Sequence, residues 1–162
     1  MLEVICNTSP LQYLHQLGLL HILPALAGRV IVPSAVVDEL AVGTALGVNL
    51  PDPTVLDWVT IQRPASALAR PLVTDLGPGE TEVLMLALEL KDVVVLLDDA
   101  LARRMAETLG IRLTGTLGLL LDAKRAGLVS AIEPLLDQLE GLRFRLARHT
   151  RAAVLKLAGE AP

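Results

Sequence analysis

The segment VVVLLDDALARRMAETLGIRLT, from Val93 to Thr114, decides the fold. Three consecutive valines and two leucines form a β-branched, wholly apolar run, the pattern of a strand buried on both faces. Asp98-Asp99 closes that run and a helix follows to Leu109. Gly110 stands just beyond it, where a helix C-terminus favours glycine. Ile111–Thr114 then reads as the next strand. Two apolar strands joined through a helix make a parallel pair, because the helix is the crossover that returns the chain to the same sheet edge.

The same alternation extends outward in both directions. Leu2–Cys6 is a short apolar strand stopped by Asn7-Thr8-Ser9-Pro10. Serine before proline predicts a helix that begins at Pro10. Leu11, Leu14, Leu17, Leu20, Leu23 and Leu26 then keep a helical spacing, broken near Gly18 and by Pro24. Arg29–Val32 is a second strand. Pro33-Ser34 opens a helix that turns Val36, Val37 and Leu40 inward and carries Asp38-Glu39 near its middle. The signal weakens from Gly43 to Pro78, where only the apolar run around Trp58, within Val55–Gln62, suggests a strand. Gly77-Pro78-Gly79 opens a helix from about Glu80 to Leu90, apolar on most sides and therefore buried. Gly115–Arg125 is helical and ends at Gly127. Ser130-Ala131-Ile132-Glu133 matches a capping box and predicts a helix to about Leu139, and Arg143–Leu157 forms a last helix with one basic face. The prediction is a single α/β domain over residues 1–162: three layers, α/β/α, around a central parallel sheet, with a helical extension over about 130–159.

Composition agrees and excludes much else. In 162 residues, hydrophobic side chains make up 52% and charged ones 20%, too apolar for a disordered chain. The one cysteine, Cys6, rules out a disulfide framework and a cysteine zinc ribbon and reads as a small core residue. The longest stretch without Asp, Glu, Lys or Arg, Val4–Gly28, holds Asn7, Thr8, Ser9, Gln12, His15, Gln16, His21 and two prolines, so it is no membrane span. No basic region precedes the first apolar run, which argues against a signal peptide. The expectation is a soluble, cytoplasmic protein.

Net charge is −4, from 14 basic and 18 acidic residues. Five of the bases, Arg143, Arg145, Arg148, Arg151 and Lys156, share a 14-residue stretch free of acids, which leaves nine bases against 18 acids elsewhere. Such a body repels phosphate backbones unless cations neutralise its acids. Tyr13, Trp58 and Phe144 are the only aromatic residues, too few for a base-stacking sheet or barrel.

In an open parallel sheet, chemistry gathers beyond the carboxyl ends of the strands, where strand order reverses. Asn7 follows the first strand there, and Asp98-Asp99 follow the valine strand. Glu39 sits on the helix after the second strand, while Glu80 and Glu82 lie in the first turns of the helix entered through Gly-Pro-Gly. Carboxylates brought together this way repel one another unless a cation sits among them. Hard oxygen donors without a His or Cys pair select Mg²⁺ or Mn²⁺, and a pair of such ions supports in-line phosphodiester hydrolysis. Each residue also has an ordinary alternative. Asp98 or Asp99 can cap the following helix, Glu80 and Glu82 can complement a helix dipole, Glu39 can be a solvated helix residue, and Asn7 can bond turn amides. His15, His21 and His149 lack a metal-ligand spacing. No P-loop lysine follows Gly115 and no Gly-x-Gly-x-x-Gly follows the first strand, which disfavours a nucleotide cofactor. A phosphorylated receiver-like domain shares the sheet but needs an acidic pair after the first strand and a lysine after the last; neither is present.

Asn7-Thr8-Ser9-Pro10-Leu11, Val32-Pro33 through Glu39-Leu40, Gly79-Glu80-Thr81-Glu82, and Leu96-Leu97-Asp98-Asp99 with Arg103 and Ala106 form a spaced set. With Gly115-Thr116-Leu117-Gly118 and Ala123-Lys124-Arg125-Ala126-Gly127, it resembles the PIN-domain proteins, more narrowly the DUF3368 group close to the VapC toxins. The resemblance covers nearly the whole chain. It implies three or four acids around Mg²⁺ or Mn²⁺ and cleavage of single-stranded RNA. It also implies a small antitoxin protein as partner and a homodimer. Glu39 matches the second acidic position, Glu80 the third with Glu82 as substitute, and Asp98 or Asp99 the fourth. Ser9 falls where a hydroxyl supports the first acid. Asn7 departs from the pattern, since it stands where most of the wider family has Asp and offers one neutral carbonyl oxygen in place of a charged pair. Two readings result: a metal-dependent endoribonuclease toxin, or a catalytically silent protein of the same fold that binds a partner or RNA. The basic face of Arg143, Arg145, Arg148 and Arg151 serves either, by guiding RNA or by meeting an acidic antitoxin.

Overall fold

The computed structural model describes residues 2–66 and 75–162. Residues 67–74, inside the stretch of weak sequence signal, lie outside the described residues. Five parallel strands form one sheet: β1 (Glu3–Cys6), β2 (Arg29–Pro33), β3 (Val59–Gln62), β4 (Val93–Leu96) and β5 (Arg112–Thr114), in the order β3-β2-β1-β4-β5. The helices are α1 (Thr8–Gln16), α2 (Ile22–Leu26), α3 (Ser34–Ala45), α4 (Pro78–Leu90), α5 (Ala100–Thr108), α6 (Thr116–Arg125), α7 (Glu133–Gly141) and α8 (Arg148–Leu157). They flank the sheet in a three-layer α/β/α arrangement, so the apolar β1, β2 and β4 are covered on both faces. Ile5, Cys6, Ile31, Val32, Val95 and Leu96 are all fully buried. α4 crosses β1, β2 and β4, which is why Val83 through Ala87 are buried in an unbroken run. No helix among the described residues is long and apolar enough to cross a membrane.

Several boundaries differ from expectation for local reasons. α1 begins at Thr8, two residues before Pro10, and Asn7 occupies its cap position. Proline is as well tolerated in the first turn as at its first residue, since its missing N–H would have no intrahelical partner there. The strand expected within Val55–Gln62 is confined to Val59–Gln62, because Pro53–Val55 form a 3₁₀ turn that the Asp52 carboxylate caps through Thr54 N–H.

The capping box expected at Ser130 and Glu133 does not form. α7 starts at Glu133, and Ile132 N–H and Glu133 N–H instead donate to the Glu160 carboxylate at 2.7 and 3.0 Å. Glu160 also receives Lys124 Nζ at 2.7 Å, so one carboxylate fastens α6, α7 and the end of α8. The helix expected over Arg143–Leu157 begins only at Arg148. Upstream, Arg143 N–H bonds Glu140 O, Phe144 N–H bonds Leu139 O, and Arg143 has φ +68°. That is a Schellman stop with arginine at the left-handed position where glycine is the usual residue.

Candidate functional site

The chain runs outward from β1 to β2 and β3, then returns to the other side of β1 for β4 and β5, so strand order reverses between β1 and β4. Cys6 pairs with Leu96 at the carboxyl ends of those strands, and Asn7 N–H donates to Leu96 O at 3.2 Å. Asn7 and the Leu97–Asp99 segment therefore leave the sheet side by side, at the place where parallel sheets bind ligands.

Asp98 is held by donors from two other elements. Thr116 N–H reaches Oδ1 at 2.8 Å, while Thr116 Oγ1 and Ser9 Oγ donate to Oδ2 at 2.7 and 3.1 Å. Thr116 is fully buried and opens α6 directly beyond β5. Gly115 permits this approach, since a Cβ there would stand 2.9 Å from Asp98 Oδ1 and 3.3 Å from Leu97 O. Arg103 Nη1 braces the same turn through Leu97 O at 2.9 Å. Asp99 caps α5, with Oδ2 accepting from Ala102 N–H at 2.9 Å.

Asn7, Ser9, Tyr13, Glu80, Asp98 and Asp99 line one open cavity of about 440 Å³, closed on its far side by Arg143, Phe144 and Arg145. Tyr13 and Phe144 meet edge to face, ring centroids 4.9 Å apart and planes at 87°. Burial, reinforced by the Asp98 charge, raises the Tyr13 phenol above its ordinary pKa. Asn7 is the exception in this set. The residue is 4% exposed, it occupies the cap position of α1 without making a capping bond, and its Oδ1 is buried with no hydrogen-bond partner.

Glu39 and Glu82 stand outside this cavity. Glu39 accepts from Thr8 Oγ1 at 2.8 Å and Gly79 N–H at 2.7 Å, so it ties α1 to the start of α4. Glu82 accepts from Ser34 Oγ and Ala35 N–H at 3.0 and 2.8 Å, at the N-terminus of α3. The physical reason is common to both: helix-start amides are unsatisfied donors that attract carboxylates. Among the basic residues, Arg143 and Arg145 reach the cavity, Arg148 is exposed at the start of α8, and Arg151 is held by Asp137 and Glu140 at 2.7 Å each. Ser9 supports Asp98 in place of Asn7. Cys6 is fully buried, and burial raises its thiol pKa far above the usual range, so it is core.

Sequence reasoning assigns no role to Thr116, Tyr13 or Phe144. For Thr116 the signal is present: a hydroxyl residue opening the helix after the last strand, one strand away from Asp98.

Among the described residues, no three His, Cys, Asp or Glu side chains are grouped closely enough to hold a metal ion by themselves. The donor set nevertheless suits a hard cation. Its acidic members offer oxygens alone, and Glu80, Asp98 and Asp99 share their cavity with Asn7, whose Oδ1 is buried and unpaired. Mg²⁺ and Mn²⁺ need few protein ligands because water completes their shell.

The comparisons with known proteins agree with this architecture. A family model described as DUF3368: PIN domain matches residues 3–160. No curated protein matches the chain.

Proposed function

Because this chain belongs to the DUF3368 family of PIN domains, a nuclease-type fold, we propose that it is a Mg²⁺- or Mn²⁺-dependent endoribonuclease that cleaves single-stranded RNA. Its biological setting, on this reading, is that of a VapC-like cytoplasmic toxin, a homodimer held in check by a small antitoxin protein. The observation that carries the proposal is the convergence of Asn7, Glu80, Asp98 and Asp99 on one cavity at the strand-order reversal, where Asn7 Oδ1 is buried without a hydrogen-bond partner. Leaving a buried acceptor unpaired costs about 1–3 kcal/mol, and a ligand that accepts its lone pairs offsets that cost.

Asn7, Glu80, Asp98 and Asp99 are the residues that would hold the ion. Bound there, a divalent ion would supply the acidification of a water molecule and the stabilisation of charge on the leaving oxygen. The chain's own residues do the remainder. Thr116 and Ser9 fix Asp98 so that its carboxylate needs no reorganisation when substrate arrives. Asp99 keeps Oδ1 free of the capping bond, and Glu80 presents a second free carboxylate; either can take the proton of the attacking water. Arg143 and Arg145 offer guanidinium groups to phosphate oxygens across the same cavity. Glu39 and Glu82 act at a distance by fixing the helix starts that carry Glu80.

Asn7 also favours a second reading, a binding protein without catalytic activity, because a neutral amide supplies no charge to the ion. The test is cleavage of a panel of single-stranded RNAs with Mn²⁺ or Mg²⁺, with and without chelator. Metal-dependent cleavage by the wild type that Asp98→Asn, Asp99→Asn and Glu80→Gln abolish supports the nuclease. Equal cleavage by wild type and variants, or none by any, refutes it.

A further inference from the structure

Two of the three aromatic side chains in the whole sequence, Tyr13 from α1 and Phe144 from the segment after α7, come from distant parts of the chain to line the cavity that holds the acids. At 87° the rings do not stack on each other, so each keeps at least one π-face that the other does not cover. Both are only partly buried. On either side of Phe144 stand Arg143 and Arg145, which have no carboxylate partner among the described residues, in contrast to Arg151. The backbone that presents them departs from local preference. Arg143 takes the left-handed conformation at a helix stop, where glycine carries no steric penalty. Asn7, whose buried Oδ1 has no hydrogen-bond partner, lines the same cavity.

Resting on the nuclease reading and extending it, we propose that Tyr13, Phe144 and Arg143 form a nucleotide subsite that receives one unpaired base of the RNA beside the carboxylates. The base stacks on the aromatic corner, and Arg143 holds the phosphate of the same nucleotide. This explains a selectivity for single strands on physical grounds. A paired base is already stacked and lacks a free face, whereas an unpaired one exchanges water for a ring. Three aromatic residues are too few for a stacking platform, but a single-base corner needs only two.

The experiment measures binding without turnover. A fluorescein-labelled single-stranded octaribonucleotide is titrated with the protein in EDTA and followed by anisotropy, then compared with versions in which one abasic nucleotide is moved along the strand. For the wild type, one abasic position lowers affinity roughly 5- to 100-fold, the range for one base on an aromatic side chain. Phe144→Leu binds the intact strand correspondingly more weakly and is insensitive to that abasic position. Arg143→Gly raises the melting temperature, lowers affinity and flattens the salt dependence of log K by about 0.7, the amount for one phosphate contact on a single strand. The proposal is overturned if abasic scanning has the same effect on wild type and Phe144→Leu, if Arg143→Gly leaves affinity unchanged, or if RNA does not bind in EDTA. A subsite confirmed in EDTA alongside absent cleavage with metal overturns only the nuclease reading. Cleavage with no position-specific abasic effect overturns only the subsite.

Discussion

Asn7→Asp tests the centre of the site through stability as well as activity. The residue is 4% exposed, its Oδ1 has no donor within reach, and Asp98 shares the cavity. An aspartate there carries a charge to a buried atom with no hydrogen-bond donor. Leaving an acceptor unpaired costs about 1–3 kcal/mol and a charged one more, so about 2–3 kcal/mol is expected in chelator. For a chain of this size each kcal/mol moves Tm by roughly 2–4 °C, which places the variant about 4–12 °C below the wild type. Mn²⁺ reverses the order of effects. An ion present at 100 times its Kd adds about 2.7 kcal/mol, and a second negative ligand gives the variant a higher affinity for it than the wild type has. Differential scanning fluorimetry with EDTA or millimolar Mn²⁺ therefore gives a larger Mn²⁺-induced Tm rise for Asn7→Asp than for wild type, and Asp98→Asn removes the rise from both. Equal stability in EDTA together with equal Mn²⁺ shifts refutes the assignment of Asn7 as an ion-facing acceptor. In the cleavage assay, activity confined to Asn7→Asp selects the binding-protein reading for the natural chain.

Two further perturbations examine the supports. Lys124 and the amides of Glu133 and Ile132 lower the Glu160 carboxyl from 4.5 to about 2, worth at most about 3 kcal/mol and, with screening of a partly exposed group, about 1–2. A depressed carboxyl stabilises the fold above its ordinary pKa and loses that contribution as pH falls through the folded value. The gap in urea stability between wild type and Glu160→Gln is thus expected to be full at pH 7 and to close between about pH 4.5 and 2; a pH-independent gap contradicts it. Thr116→Val keeps shape while removing the 2.7 Å hydroxyl donor to Asp98, with an expected loss of about 1–2 kcal/mol in urea unfolding and a smaller Mn²⁺ Tm shift. An unchanged shift means that Asp98 needs no such positioning.

The central strands are readable from composition because burial on both faces leaves little choice of residue: Val93, Val94 and Val95 announce β4, and the carboxyl-end rule then places Asn7 and Asp98 together. Other features depend on long-range partners that periodicity does not carry. Ser130 and Glu133 form the pattern of a capping box, yet Glu160 from the far end of the chain takes the amides of Ile132 and Glu133. Positions on α3 and α4 bring Glu39 and Glu82 near the site in any sequence reading. Which way each carboxylate turns is set by which helix-start amide lies within reach, and that follows only from how α1, α3 and α4 pack. Arg143 is hidden differently, since nothing local in the sequence marks an arginine as the residue that ends a helix with positive φ.

Asn7 is where sequence and structure bear on the same question from opposite sides. In sequence it is a weakened acid, a loss of charge. In the folded chain its Oδ1 is the one buried side-chain polar atom without a hydrogen-bond partner among the described residues, although asparagine at a helix start usually bonds the first amides. A carboxylate at this depth beside Asp98 would repel it whenever no cation is bound, and the donors that quiet Asp98, Thr116 and Ser9, make no bond to Asn7. The amide avoids that repulsion. On the nuclease reading proposed above, the amide therefore shifts the balance toward a site that stays folded when empty and would bind an ion more weakly.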